Sequence, residues 1–158
     1  MSISLDIPGY GRLELEGVVC DMNGTLTRDG QLATPVAEAL RDLAGSLKIY
    51  VMTADTFGTA RKTFAYLPVE LVGMETGRPG AEVKRDFVCR LGAERHAAVG
   101  NGRNDHLMLA AAALGICVIG PEGAHLSTLQ AADLVVADPV AALELLNHPR
   151  RLLAGLRN

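Results

Sequence analysis

The stretch "GVVCDMNGTLT", residues 17–27, decides the fold. A small and apolar run reaches Cys20, ends in Asp21, and gives way at once to Asn23-Gly24-Thr25. A short uninterrupted run of this kind is the pattern of a strand buried on both faces of a parallel sheet. Asp21 is then the first residue to leave that sheet at its carboxyl edge. Ligands bind along this edge in open α/β folds, so the question is what chemistry an acid performs there.

Working outward, the segments alternate between strand and helix patterns. Residues 2–16 alternate apolar and polar around "PGYG" and read as a β-hairpin. Residues 25–33 contain Asp29-Gly30, a tight-turn signal, and read as a small flap. Thr34 is expected to cap a helix that has Pro35 in its first turn and Val36, Leu40, Leu43 and Leu47 on its apolar face. Strands follow at 47–53, 69–73, 96–100, 115–120 and 133–137. Helices are expected over 57–66, from Pro79 to Gly92, over 104–114, over 123–131, and over 139–155 with a break near Pro149. This is an α/β class chain: a doubly wound, mostly parallel sheet with helices on both faces and a small N-terminal β-hairpin. Residues 1–158 are expected to form one domain, because no linker, repeat or low-complexity segment divides them.

Composition narrows the function classes. Apolar residues make up 49% of the chain, charged residues 21%, and the formal net charge is −3. The basic residues are scattered, so no nucleic-acid surface is expected. No apolar run approaches ~18 residues, so no membrane span is expected, and a cytoplasmic protein is the reading. Cys20, Cys89 and Cys117 lie in apolar segments without metal-ligand spacing and are expected to be small buried hydrophobes.

The polar residues that follow strands are the candidates for chemistry. Asp21 and Asn23 follow the first parallel strand, and Thr53, Ala54 and Asp55 the second. Asn101, Arg103, Asn104 and Asp105 follow the strand that ends at Gly100, and Lys84 lies in the first half of the Pro79 helix. Taken singly, each has an ordinary explanation: a turn residue, a cap, a solvated lysine. Together they suit phosphoryl transfer. A carboxylate can attack phosphorus to give an aspartyl phosphate, and Mg²⁺ needs only a few hard oxygens. A lysine and a threonine hydroxyl can hold the phosphoryl oxygens, and Gly24 with Thr25, like Gly102, lets backbone N–H groups approach an anion.

On these residues the chain resembles the haloacid dehalogenase superfamily. "DMNGTLT" is similar to its first motif, "VMTAD" to its second, Lys84 to its third, and "VGNGRNDHLMLAAAALGICV" to its fourth. The flavour is that of the phosphorylation domain of P-type ATPases, and of their stand-alone, soluble, capless relatives. The resemblance implies a Mg²⁺-dependent phosphatase. Asp21 would be nucleophile and metal ligand, and the Asn23 carbonyl a second ligand. Asn101 and Asp105 would lie in or beside the metal shell. Thr53 and Lys84 would bind the phosphoryl group.

Two departures stand out. Asn23 replaces the acid that protonates the leaving group and then activates water, and Asn101 replaces a metal-binding Asp. Turnover is therefore expected to be slow. The rival reading is a regulatory module that binds phosphate or nucleotide and turns nothing over. The expected partner is a small phosphoester. Arg28, Phe57, Arg103 and His106 are candidates for contacting it. The N-terminal hairpin has an edge that could join a homo-oligomer, but covering the edge of its own sheet is the simpler use.

Overall fold

The computed structural model describes residues 1–54 and 58–158. Two strands, β1 (Ile3–Ile7) and β2 (Gly11–Leu15), pair antiparallel as a separate hairpin. The rest winds as β3 (Gly17–Asp21), α1 (Thr34–Leu43), β4 (Lys48–Thr53), α2 (Thr59–Thr63), β5 (Glu70–Gly73), α3 (Gly80–Leu91), β6 (His96–Gly100), α4 (His106–Ala111), β7 (Leu114–Val118), α5 (Leu126–Ala131), β8 (Leu134–Val136), α6 (Pro139–Asn147) and α7 (Pro149–Leu156). Six strands form one parallel sheet in the order β5-β4-β3-β6-β7-β8.

That order places the topological switch between β3 and β6, where the connections depart in opposite directions. Every residue of β3, β6 and β7 is buried, whereas the edge strands β5 and β8 are only half-buried. One core lies beneath α1, α2, α6 and α7, built on Val18, Cys20, Ile49, Val51 and Val99. Alternate strand residues Val19, Tyr50, Met52, Ala98 and Cys117 face the other core, beneath α3 and α4. Register then levels the site. Asp21 pairs with Met52 and Cys20 with Val99, so Thr53 and Asn101 lie just past Asp21 on the same edge.

The flap is present. Asp29 and Gly30 both have positive φ, 50° and 75°, and Arg28 and Gln31 exchange backbone hydrogen bonds at 2.9 Å. This is the turn that the Asp-Gly pair favours.

Several expectations are corrected. Thr34 is not the cap of α1: it is already helical, Ala33 holds the cap position without a side-chain bond, and the Ala33 carbonyl accepts from Val36 and Ala37. The helix over 57–66 is limited among the described residues to α2, and the helix expected to reach 114 stops at Ala111 because Leu114 already belongs to β7. Cys20 and Cys117 are buried, but Cys89 is exposed in the last turn of α3, on the face turned away from the sheet.

The hairpin does not cover a sheet edge either. Glu16 N donates to Arg95 O at 2.8 Å and Lys48 N donates to Glu16 O at 3.0 Å, so the hairpin closes the amino-terminal end of the sheet. Its residues Ile3, Ile7, Leu13 and Leu15 join the larger core. This end is opposite to the one that carries Asp21. Leu15→Ala should therefore cost about 2–5 kcal/mol, the range for a fully buried leucine. Tyr66→Ala, at a residue 92% exposed, should stay within about 0.5 kcal/mol of wild type. Urea midpoints of the two variants check the contrast.

Candidate active site

A lysine holds the site together. Lys84 projects from the second turn of α3 and is only 1% exposed. Its Nζ donates to Asp21 Oδ1 at 2.6 Å and to Asp105 Oδ1 at 2.7 Å. The two acids come from the end of β3 and from the 3₁₀ turn Arg103–Asp105 just before α4. A buried ammonium is tolerable only with such partners.

Asp105 is itself fully buried, and its Oδ2 accepts from the backbone N–H groups of Asn101 and Gly102, both at 3.0 Å. Gly100 leaves room for it: a Cβ there would lie 2.5 Å from Asp105 Cγ. Thr25 closes the other side of Asp21. Its hydroxyl lies 3.0 Å from Asp21 Oδ2 and 2.9 Å from Asn101 Oδ1, and its single proton can serve only one of them at a time.

Of these groups Asp21, Lys84, Asn101 and Gly102 border a polar cavity of about 190 Å³ at the carboxyl ends of β3, β4 and β6. Asp21, Asn23, Thr53, Ala54, Lys84, Asn101 and Asn104 line it as the sequence suggested. Thr25 supports it from behind. Gly24 borders a neighbouring, more apolar cavity beside the flap, as does Arg28. Arg103 is exposed and lines neither cavity, and His106 bonds back to the Arg103 carbonyl at 2.6 Å. Asp55 and Phe57 lie outside the described residues.

Three lining residues were missed: Met52, Met74 and Glu122. Glu122 is also a polar residue shortly beyond a strand, but Ile119-Gly120-Pro121 separates it from β7 and hides the pattern. Met74 follows β5, and its N–H donates to the Thr53 carbonyl at 3.0 Å, which ties the two strand ends together.

Burial pushes the Asp21 carboxyl up to about 6, and the nearby Asp105 adds to the shift; Lys84 and Thr25 oppose it. Burial works against the Lys84 ammonium, but the two carboxylates outweigh it and hold its pKa above the ordinary value. Around neutral pH Lys84 is therefore charged, and its charge favours the Asp21 carboxylate.

No family model matches the chain. An uncharacterized protein of Methanocaldococcus jannaschii is 52% identical over 61 residues, which is 39% of this chain and 66% of that protein, just under two thirds of its length. Among solved structures, a 3-deoxy-D-manno-octulosonate 8-phosphate phosphatase from Moraxella catarrhalis, in complex with magnesium, phosphate and its sugar, superimposes with a TM-score of 0.69. It is 14% identical, and the match covers 87% of this chain and 89% of that one. A zinc-transporting P-type ATPase is 26% identical over 78% of this chain and 20% of its own, with a TM-score of 0.62. The architecture is therefore that of haloacid dehalogenase hydrolases and phosphatases.

A carboxyl whose pKa is raised on folding favours the folded state at low pH, and that advantage is lost as pH rises from the ordinary value near 4 through 6. Asp21→Asn removes this dependence. Its stability relative to the metal-free wild type should improve by roughly 2–3 kcal/mol between pH 4 and 7. Denaturant titrations at several pH values read this margin, and an unchanging margin would contradict the raised pKa.

Proposed function

We propose that this chain is a metal-dependent phosphatase of the haloacid dehalogenase superfamily, acting on a small phosphoester through phosphorylated Asp21. The observation that carries the reading is the Asp21 carboxylate itself. It is held at 2.6 Å by the ammonium of a buried lysine and borders a polar cavity at the switch point of the sheet. The structural likeness to phosphatases supports the reaction class.

The residues fit Mg²⁺. Asp21 Oδ2, Thr25 Oγ and Asn101 Oδ1 gather as hard oxygen donors within about 3 Å contacts. Among the described residues no group of three His, Cys, Asp or Glu forms a closed metal cage, and Mg²⁺ does not require one, since it keeps several waters. Asp21, the Asn23 carbonyl and Asn101 would hold the ion, with Asp105 beside them as a brace. The bound cation would supply charge to the phosphoryl oxygens.

The chain's own groups do the rest. Lys84 offsets the repulsion between Asp21 and an incoming phosphate, and with Thr53 it steadies the transferring oxygens. An Asp21 oxygen forms a bond to phosphorus as the bond from phosphorus to the leaving oxygen breaks. The leaving oxygen takes its proton from solvent, because the Asn23 side chain has no acidic proton to give. Water then attacks phosphorus and releases phosphate, and Asp21 is regenerated. Without a general acid and base at position 23, a rate contribution of ~10²–10⁴ is missing. Leaving groups that need no proton should fare best.

The reading predicts that incubation with Mg²⁺ and acetyl phosphate builds up a phosphoryl adduct, visible by intact-mass spectrometry, that maps to Asp21 and decays slowly. Asp21→Asn should show none. Asn23→Asp should speed turnover of alkyl phosphates about 10²-fold or more. An unconsumed donor with no adduct would favour the second reading, a phosphate-binding module, to which the two asparagines at acid positions point.

A further inference from the structure

Glu122 stands on the turn between β7 and α5, and its side chain borders the same cavity as Asp21, Lys84 and Asn101. The turn is closed by Gly123 N donating to Gly120 O at 2.8 Å. It is fastened to Asn101 from two sides. Asn101 Nδ2 donates to Gly123 O at 3.2 Å, and His125 N donates to Asn101 O at 2.8 Å. The carboxylate of Glu122 reaches over Gly24, directly beyond the Asp21–Asn23 segment. A Cβ built on Gly24 would collide with Glu122 Oε2 and would lie 2.9 Å from Asn101 Nδ2. The absent side chain at 24, where φ is +78°, is what leaves room for the glutamate carboxylate and the Asn101 amide above this loop.

The charge around the cavity shows what this placement can do. Asp21 and Asp105 are set against Lys84, so one negative charge remains at the centre. A divalent cation bound through neutral oxygens such as those of Asn23 and Asn101 gains little Coulomb energy from them. An exposed carboxylate at the rim supplies the missing charge without the cost of burying another acid. We infer that Glu122 is a carboxylate of the metal site, standing in from the β7–α5 turn for the charge that Asn101 lacks. This rests on the metal-dependent reading above. It differs from that reading in giving the cation a ligand or water-holding partner outside the motif residues.

The test is Mg²⁺ titration by calorimetry on the full chain, repeated with Mn²⁺, for wild type, Glu122→Gln, Asn101→Asp and the double variant. Glu122→Gln should weaken metal affinity about 10-fold or more, the scale on which partners of metal ligands act. Its melting temperature in EDTA should match wild type, since the side chain is exposed. In the Asn101→Asp background, where the charge is restored, the same change should cost much less. Unchanged affinity in Glu122→Gln, with wild type binding normally, would overturn this inference and leave the phosphatase reading standing. So would a loss of equal size in both backgrounds, since Glu122 would then not be compensating for Asn101. No metal binding by wild type would overturn both.

Discussion

The contact on which the rest of the site depends is the ammonium of Lys84 between the carboxylates of Asp21 and Asp105. It is a charge group almost wholly removed from water, so its two partners are obligatory. They arrive from β3 and from the turn before α4, while the lysine arrives from α3. Formation of this triad fixes three elements on both sides of the switch point. It also orders the next layer, because Asp105 turns its second oxygen to the amides of Asn101 and Gly102 and so sets the loop after β6. Among the described residues, every buried side-chain nitrogen or oxygen has a partner. A polar centre of this density in a low dielectric is stable only when it is fully satisfied.

The same arrangement suits the reaction proposed for the site. Burial and a second carboxylate raise the proton affinity of Asp21, while Lys84 and Thr25 restrain the rise, leaving it near 6. As the proposed nucleophile, Asp21 would need to be ionised in use, yet a carboxylate is more reactive when poorly solvated. The two demands meet in a group that water barely reaches but that a lysine holds ionised.

The fold separates building from chemistry. The hairpin and α7 close one end of the sheet, where Asn158 N donates to Pro8 O at 2.9 Å, and the functional groups gather at the other end. This separation explains how chains of low sequence identity can share the architecture. Buried strands require apolar shape and alternation more than particular residues. The sheet's carboxyl edge, by contrast, requires particular side chains at particular strand ends.

The sequence by itself determined the order of strands and helices, the flap at Asp29-Gly30, and the place of Asp21, Thr53 and Asn101 at strand ends. Those readings rest on period, turn chemistry and chain order, which are local and legible in a window of a few residues. Only the tertiary structure decided which charges meet. Lys84 taken alone looks like any helix lysine, and only α3 laid on the sheet shows that it meets both Asp21 and Asp105. Glu122 shows its position only when the β7–α5 turn folds back over Gly24. The hairpin's place beneath the sheet, the exposure of Cys89, and the capping of α1 at Ala33, one residue before its expected cap, were settled in the same way. Each depends on what a distant segment packs against, and no periodicity within the segment records that.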